Sequence, residues 1–134
     1  MKYQIATTPE QSARLIACGI DPKSADMCYV GGWKEVCAIP FAKCNKEDTP
    51  AWSLSALLAM FPKEIYDNSG DMYYFSLAKE MPLTDEYSAA YILCWSEGDD
   101  LIYKRDNCPI ETCTQMIEWL TENNYNLNEI QNQL

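Results

Sequence analysis

The sequence contains no histidine, and its ten lysines and arginines face twenty aspartates and glutamates. Without histidine there is no histidine-based triad and no imidazole general base, so the commonest route to hydrolase and transferase chemistry is closed. Only a carboxylate, a cysteine or a lysine could take that work. No phosphate-binding loop is present either, because Gly31-Gly32 lacks the Gly-x-x-x-x-Gly-Lys spacing and is flanked by strand-like residues. The shortage of cations leaves a formal net charge of −10. A field of that sign repels phosphate backbones and anionic lipid, which argues against direct nucleic-acid or membrane-surface binding. No apolar run approaches the ~18–20 residues of a membrane span, and residues 1–9 lack the apolar stretch of a signal peptide, so a cytoplasmic location is expected.

Seven cysteines are present, at positions 18, 28, 37, 44, 94, 108 and 113, with no Cys-x-x-Cys pair and an odd total. A zinc site would have to gather four of these scattered thiolates without histidine, so they read as reduced, mostly buried small hydrophobes. The acidic clusters Asp85-Glu86 and Glu97-x-Asp99-Asp100 lack the alternating ligands of a calcium loop and read as solvated turn charges. No metal and no cofactor is expected.

A chain of 134 residues, 48% of them hydrophobic, suits one self-sufficient domain that buries ~65–70% of its unfolded surface. Residues 1–134 are read as a single α+β domain in which an antiparallel sheet of about five strands carries three helices. Residues 125–134 form either one more helical turn or a frayed tail. The first helix is predicted over Pro9–Cys18. Thr8 caps it, Pro9 opens it, Gln11 completes a capping box, and Leu15 and Ile16 point inward. Gly19 supplies a left-handed residue after the helix, and Ile20 folds back on Leu15. Gly31-Gly32 predicts a hairpin between Met27–Val30 and Trp33–Ile39, with Cys28 opposite Glu35 and therefore not opposite Cys37.

Between Pro50 and Pro62 lies a short helix that starts either at Thr49-Pro50, as Thr8-Pro9 starts the first, or after Ser53, the favoured cap. Its residues Leu54, Leu57, Leu58 and Phe61 share one stripe. Leu54-x-x-Leu57-Leu58 also fits a groove-docking motif, but the same leucines are what a core-facing helix shows. Met72–Leu77 is a strand. A second hairpin joins Ala89–Ser96 to Leu101–Lys104, and the unbroken apolar run Tyr91–Trp95 predicts a central strand covered on both faces. The last helix begins at Pro109. Ile110, Cys113, Met116, Ile117 and Leu120 face inward, while Glu111, Gln115, Glu118 and Glu122 line the opposite side.

The function classes that survive concern binding more than chemistry. Trp119 lies away from the apolar stripe of its helix and is a candidate interface anchor. The row Glu111, Glu118 and Glu122 could imitate DNA phosphates and occupy the basic groove of a nuclease. The leading expectation is a non-catalytic role toward an unidentified protein partner. An acidic DNA mimic comes second and a small cysteine- or carboxylate-based enzyme third. The stretches Ile5–Ser12, Gly19–Met27, Pro50–Leu58 and Met116–Leu120 together resemble a family of small proteins of unknown function from gut bacteria and their phages and mobile elements. That resemblance implies a setting, an accessory gene of a phage or mobile element, and no mechanism.

Overall fold

Thr8 begins the first helix as its sequence predicts. The threonine hydroxyl accepts from the Gln11 amide, the Gln11 side chain accepts from the Thr8 amide, and Pro9 fills the first helical position of α1, Pro9–Ala17. Gly19, at φ 93°, ends it, and the Ile20 amide returns to the Leu15 carbonyl at 3.2 Å. The computed structural model describes residues 4–31, 35–45, 47–80, 85–95 and 99–128. Gln11, Ser12 and Leu15 are the buried residues of α1, whereas Ile16 is 41% exposed, contrary to expectation. One residue turns an α-helix by about 100°, and that rotation carries Ile16 off the stripe Leu15 occupies.

A two-stranded antiparallel ribbon follows, β1 (Met27–Tyr29) against β2 (Thr49–Ala51), with Cys28 opposite Pro50. On its other edge Cys28 forms a bridge with Cys37, exchanging both backbone hydrogen bonds at 3.0 and 2.7 Å. The expected Cys28–Glu35 pairing is thus corrected by two residues, a slip that keeps each side chain on its own face because strand side chains alternate with period two. Trp33, which the same predicted register places opposite Val30, lies outside the described residues. A further correction concerns the thiols, since Cys28 and Cys44 are joined by a disulfide. Spacing alone could not indicate it. The helical turn Phe41–Lys43 docks by a hydrogen bond from the Phe41 amide to the Ala25 carbonyl, bringing Cys44 beside β1.

Ser53 caps α2 (Leu54–Met60) and is itself held by Asp26, which accepts from the Ser53 amide and hydroxyl. Leu57, Met60 and the following Phe61 are buried, while Leu58 stands at 36% exposure, outside the expected stripe. Residues Pro50 and Ala51 are strand rather than helix.

The main sheet has strand order β3-β4-β5-β6, all antiparallel: β3 Glu64–Tyr66, β4 Met72–Lys79, β5 Tyr87–Leu93 and β6 Asp100–Asp106. With three helices, this four-stranded sheet and the ribbon, the chain is the α+β domain its sequence predicts. The helix α3 (Pro109–Glu122) lies on β5 and β6, and α1 and α2 pack on α3 from the other side. Being sandwiched explains why Thr112 and Thr114 are as fully buried as Ile117 and Leu120. Their hydroxyls are satisfied by the Tyr87 and Ile110 carbonyls at 3.1 and 2.8 Å. Leu15, Trp52, Leu57, Met60, Phe61, Ile65 and Tyr91 form the core together with Ile110, Cys113, Met116, Ile117 and Leu120 of α3. Among the described residues no helix is long and apolar enough to cross a membrane.

Candidate partner-binding surface

The row of carboxylates predicted on α3 faces α1 in part. Arg14 forms a two-bond fork with Glu111, at 2.7 and 3.2 Å, and a second with Glu118. Gln11 and Gln115 also donate to Glu111, at 2.9 and 2.8 Å, and Gln4 donates to Gln11. Partial burial works against the Glu111 charge, but the hydrogen bonds from Arg14, Gln11 and Gln115 outweigh it and hold the carboxyl below its ordinary value. The Arg14 guanidinium is correspondingly raised by its bonds to Glu118 and Glu111. Glu122 is exposed. Trp119 is half-buried, packs against the core and stacks on Tyr125 with ring centroids 5.5 Å apart. The structure therefore brings Glu111 and Glu118 together around one cation and directs Trp119 toward the segment after α3.

A different surface displays aromatic rings. All three helices lie on one side of the main sheet, where Ile65, Tyr73, Phe75, Leu77 and Tyr91 join the core. The alternate residues point the other way. By register these are Glu64 and Tyr66 on β3, Met72, Tyr74 and Ser76 on β4, Ser88, Ala90 and Ile92 on β5, and Tyr103 and Arg105 on β6. Tyr66, Tyr74 and Tyr103 are 54%, 42% and 37% exposed. No described helix covers this outer face. Beyond the end of β5, Trp95 is 71% exposed, which corrects the expectation that Tyr91–Trp95 is covered on both faces. The strand is central, with β4 and β6 as neighbours, but its helix cover is one-sided.

Two polar groupings mark this face. At the β6 side the Arg105 guanidinium lies over the Tyr103 ring, 5.2 Å from its centroid, donates to the Tyr103 hydroxyl at 2.8 Å, and pairs with Glu80 at 3.2 Å and Glu86 at 3.9 Å. Tyr103 in turn donates to Glu80. At the β3 side Glu64 stands opposite Tyr74, and the Tyr66 hydroxyl donates to it at 3.4 Å. The Glu64 carboxylate pushes the Tyr66 phenol above its ordinary value, with desolvation and the hydrogen bond adding to the shift. Among the described residues no lysine or arginine pairs with Glu64.

These exposed tyrosines were not singled out in the sequence, although a signal existed. Tyr73-Tyr74-Phe75 places bulky rings on adjacent strand positions, and period two sends one of any neighbouring pair outward. A cleft of about 860 Å³ also opens between the end of α1 and residues 124–128. Asp21 lines it but is engaged as the cap of the turn Pro22–Ser24. No group of three or more cysteines and carboxylates suited to a metal occurs among the described residues. Burial pushes the Cys113 thiol up to about 12, so it is protonated at neutral pH. No protein-family profile, no curated protein and no solved structure matches this chain.

Proposed function

We propose that this protein is a non-catalytic binding protein that engages a protein partner through the outer face of its main sheet. Its setting would be the accessory repertoire of a phage or mobile element, as the sequence resemblance implies. One observation carries the reading. Tyr66, Tyr74 and Tyr103 are exposed together on a regular sheet face that no described helix covers. Tyrosine gives a partner large contact area at a low cost in side-chain entropy, and a sheet holds such residues in fixed positions. The DNA-mimic alternative draws on Glu111, Glu118 and Glu122, but the first two already share Arg14 and offer a basic groove correspondingly less negative field. The enzyme alternative finds no support in Cys113, whose thiol is buried and protonated.

Photo-crosslinking in the producing cells tests the reading. With the crosslinker benzoylphenylalanine replacing Tyr74 or Tyr103, one discrete protein should be captured. The same label replacing the exposed Glu10 of α1, on the far side of α3 from the sheet, should not capture it. Absence of any product specific to the sheet positions would sink the proposal.

A further inference from the structure

The two polar groupings on the outer sheet face have the same parts but differ in one. At Tyr103 the protein lays its own guanidinium on a ring, with carboxylates of Glu80 and Glu86 beside it. At the β3 side a ring and a carboxylate are again adjacent, Tyr74 facing Glu64 across the strand pair with Tyr66 bonded to the same carboxylate, but no described residue supplies a cation. Resting on the binding reading above, we infer that the Glu64–Tyr66–Tyr74 corner receives an arginine side chain from an extended basic segment of the partner protein, in the manner in which Tyr103 receives Arg105.

Charge and geometry both favour this occupant. The rest of the sheet is bordered by Asp67, Asp71, Asp99 and Asp100 at one end and by Asp85, Glu86 and Asp106 at the other, within a chain of formal net charge −10. That field attracts a cationic segment and repels the phosphates of a nucleic acid, the other macromolecule that stacks on aromatic sheets. A guanidinium suits the corner better than an ammonium, because its planar face stacks on a tyrosine while its edge donates to a carboxylate. Glu64 lies on β3, an edge strand, so an extended segment can reach it from the side that no described strand occupies.

The test uses the intact protein and a fluorescent alternating peptide, (Arg-Ser)4, read by anisotropy. Glu64→Gln and Tyr74→Ser should each weaken binding about two- to fivefold, the range of a single exposed ion pair or cation–π contact. Glu122→Gln removes an equal charge from the end of α3 and should leave binding unchanged. The (Lys-Ser)4 peptide should bind more weakly, and a twelve-residue oligothymidine should not bind. Equal losses from Glu64→Gln and Glu122→Gln would reduce the effect to diffuse attraction and overturn the inference, as would oligothymidine binding or indifference to Glu64→Gln. All three positions are exposed, and circular dichroism of each variant confirms that it is folded. The two proposals fail separately. A partner crosslinked at Tyr74 through a segment without arginine refutes the inference and leaves the binding role standing. Specific peptide binding without a crosslinked protein refutes the binding role.

Discussion

The two faces of the main sheet are built from similar residues and meet different surroundings. On the inner face Tyr91 is fully buried, its ring tilted against Phe75 and its hydroxyl donating to the Pro62 carbonyl at 3.0 Å. Desolvation raises its phenol well above the ordinary value, so it is neutral under all physiological conditions. On the outer face Tyr74 presents its ring to solvent, and the hydroxyl of Tyr66 meets a carboxylate. Tyrosine as a residue type thus carries no role by itself. What covers it decides whether its ring contributes to folding or is offered to something else.

The same contrast holds for the carboxylates. Glu111 is supplied with a cation from a helix ninety-seven residues away in sequence and with two amides besides, whereas Glu64 has one phenol. A polar group enclosed by the fold acquires partners because leaving it bare would cost more than the bond returns. An exposed one has water and carries no such requirement.

The sharpest way to break this comparison is a matched pair of truncations. Tyr91→Ala should destabilise the protein by about 3–5 kcal/mol, through a cavity beside Phe75 and a lost bond to Pro62, whereas Tyr74→Ser should change stability by less than about 0.5 kcal/mol. Urea denaturation measures both, and comparable losses would mean that the outer face is as packed as the inner one.

The carboxylates give the next effect in size. Arg14→Met leaves Glu111 and Glu118 without their shared cation and should cost about 1–2 kcal/mol, whereas Arg105→Met at the sheet rim should leave the unfolding midpoint nearly unchanged. Thermal unfolding of the two variants checks the ranking, and a reversed order would refute it.

The smallest effect is the pH dependence of the clasp. Because the Glu111 carboxyl is held below its ordinary value, its contribution is fully present above the unfolded glutamate value and lost as pH falls through the folded one. Urea midpoints between about pH 6 and about pH 3 should therefore fall less steeply for Glu111→Gln than for the parent protein. Identical slopes would show that the Arg14 clasp does not favour the charged form.

How much of this was legible beforehand follows the range of the interactions. Thr8, Ser53 and Pro109 marked their helix starts because capping involves residues two or three positions apart. The strands β4, β5 and β6 were visible as runs of β-formers, while β3 escaped because Glu64–Tyr66 is only three residues long. The candidate site was legible only in fragments. Glu111 and Glu118 were rightly placed on one helix face, but nothing near them in sequence announces Arg14. The outward tyrosines could be suspected from strand alternation, yet no local pattern states which face the helices will cover.

The sequence by itself determined an acidic, histidine-free α+β chain, the ends of its helices and the apolar stripe of α3, since composition and near-neighbour stereochemistry are written locally. Only the tertiary structure decided that α3 is enclosed on two sides, that Cys28 meets Cys44, that Trp119 stacks on Tyr125 and that no described helix covers one face of the sheet. Each of those outcomes depends on elements distant along the chain choosing the same partner, and that choice is made by the packing of the whole core.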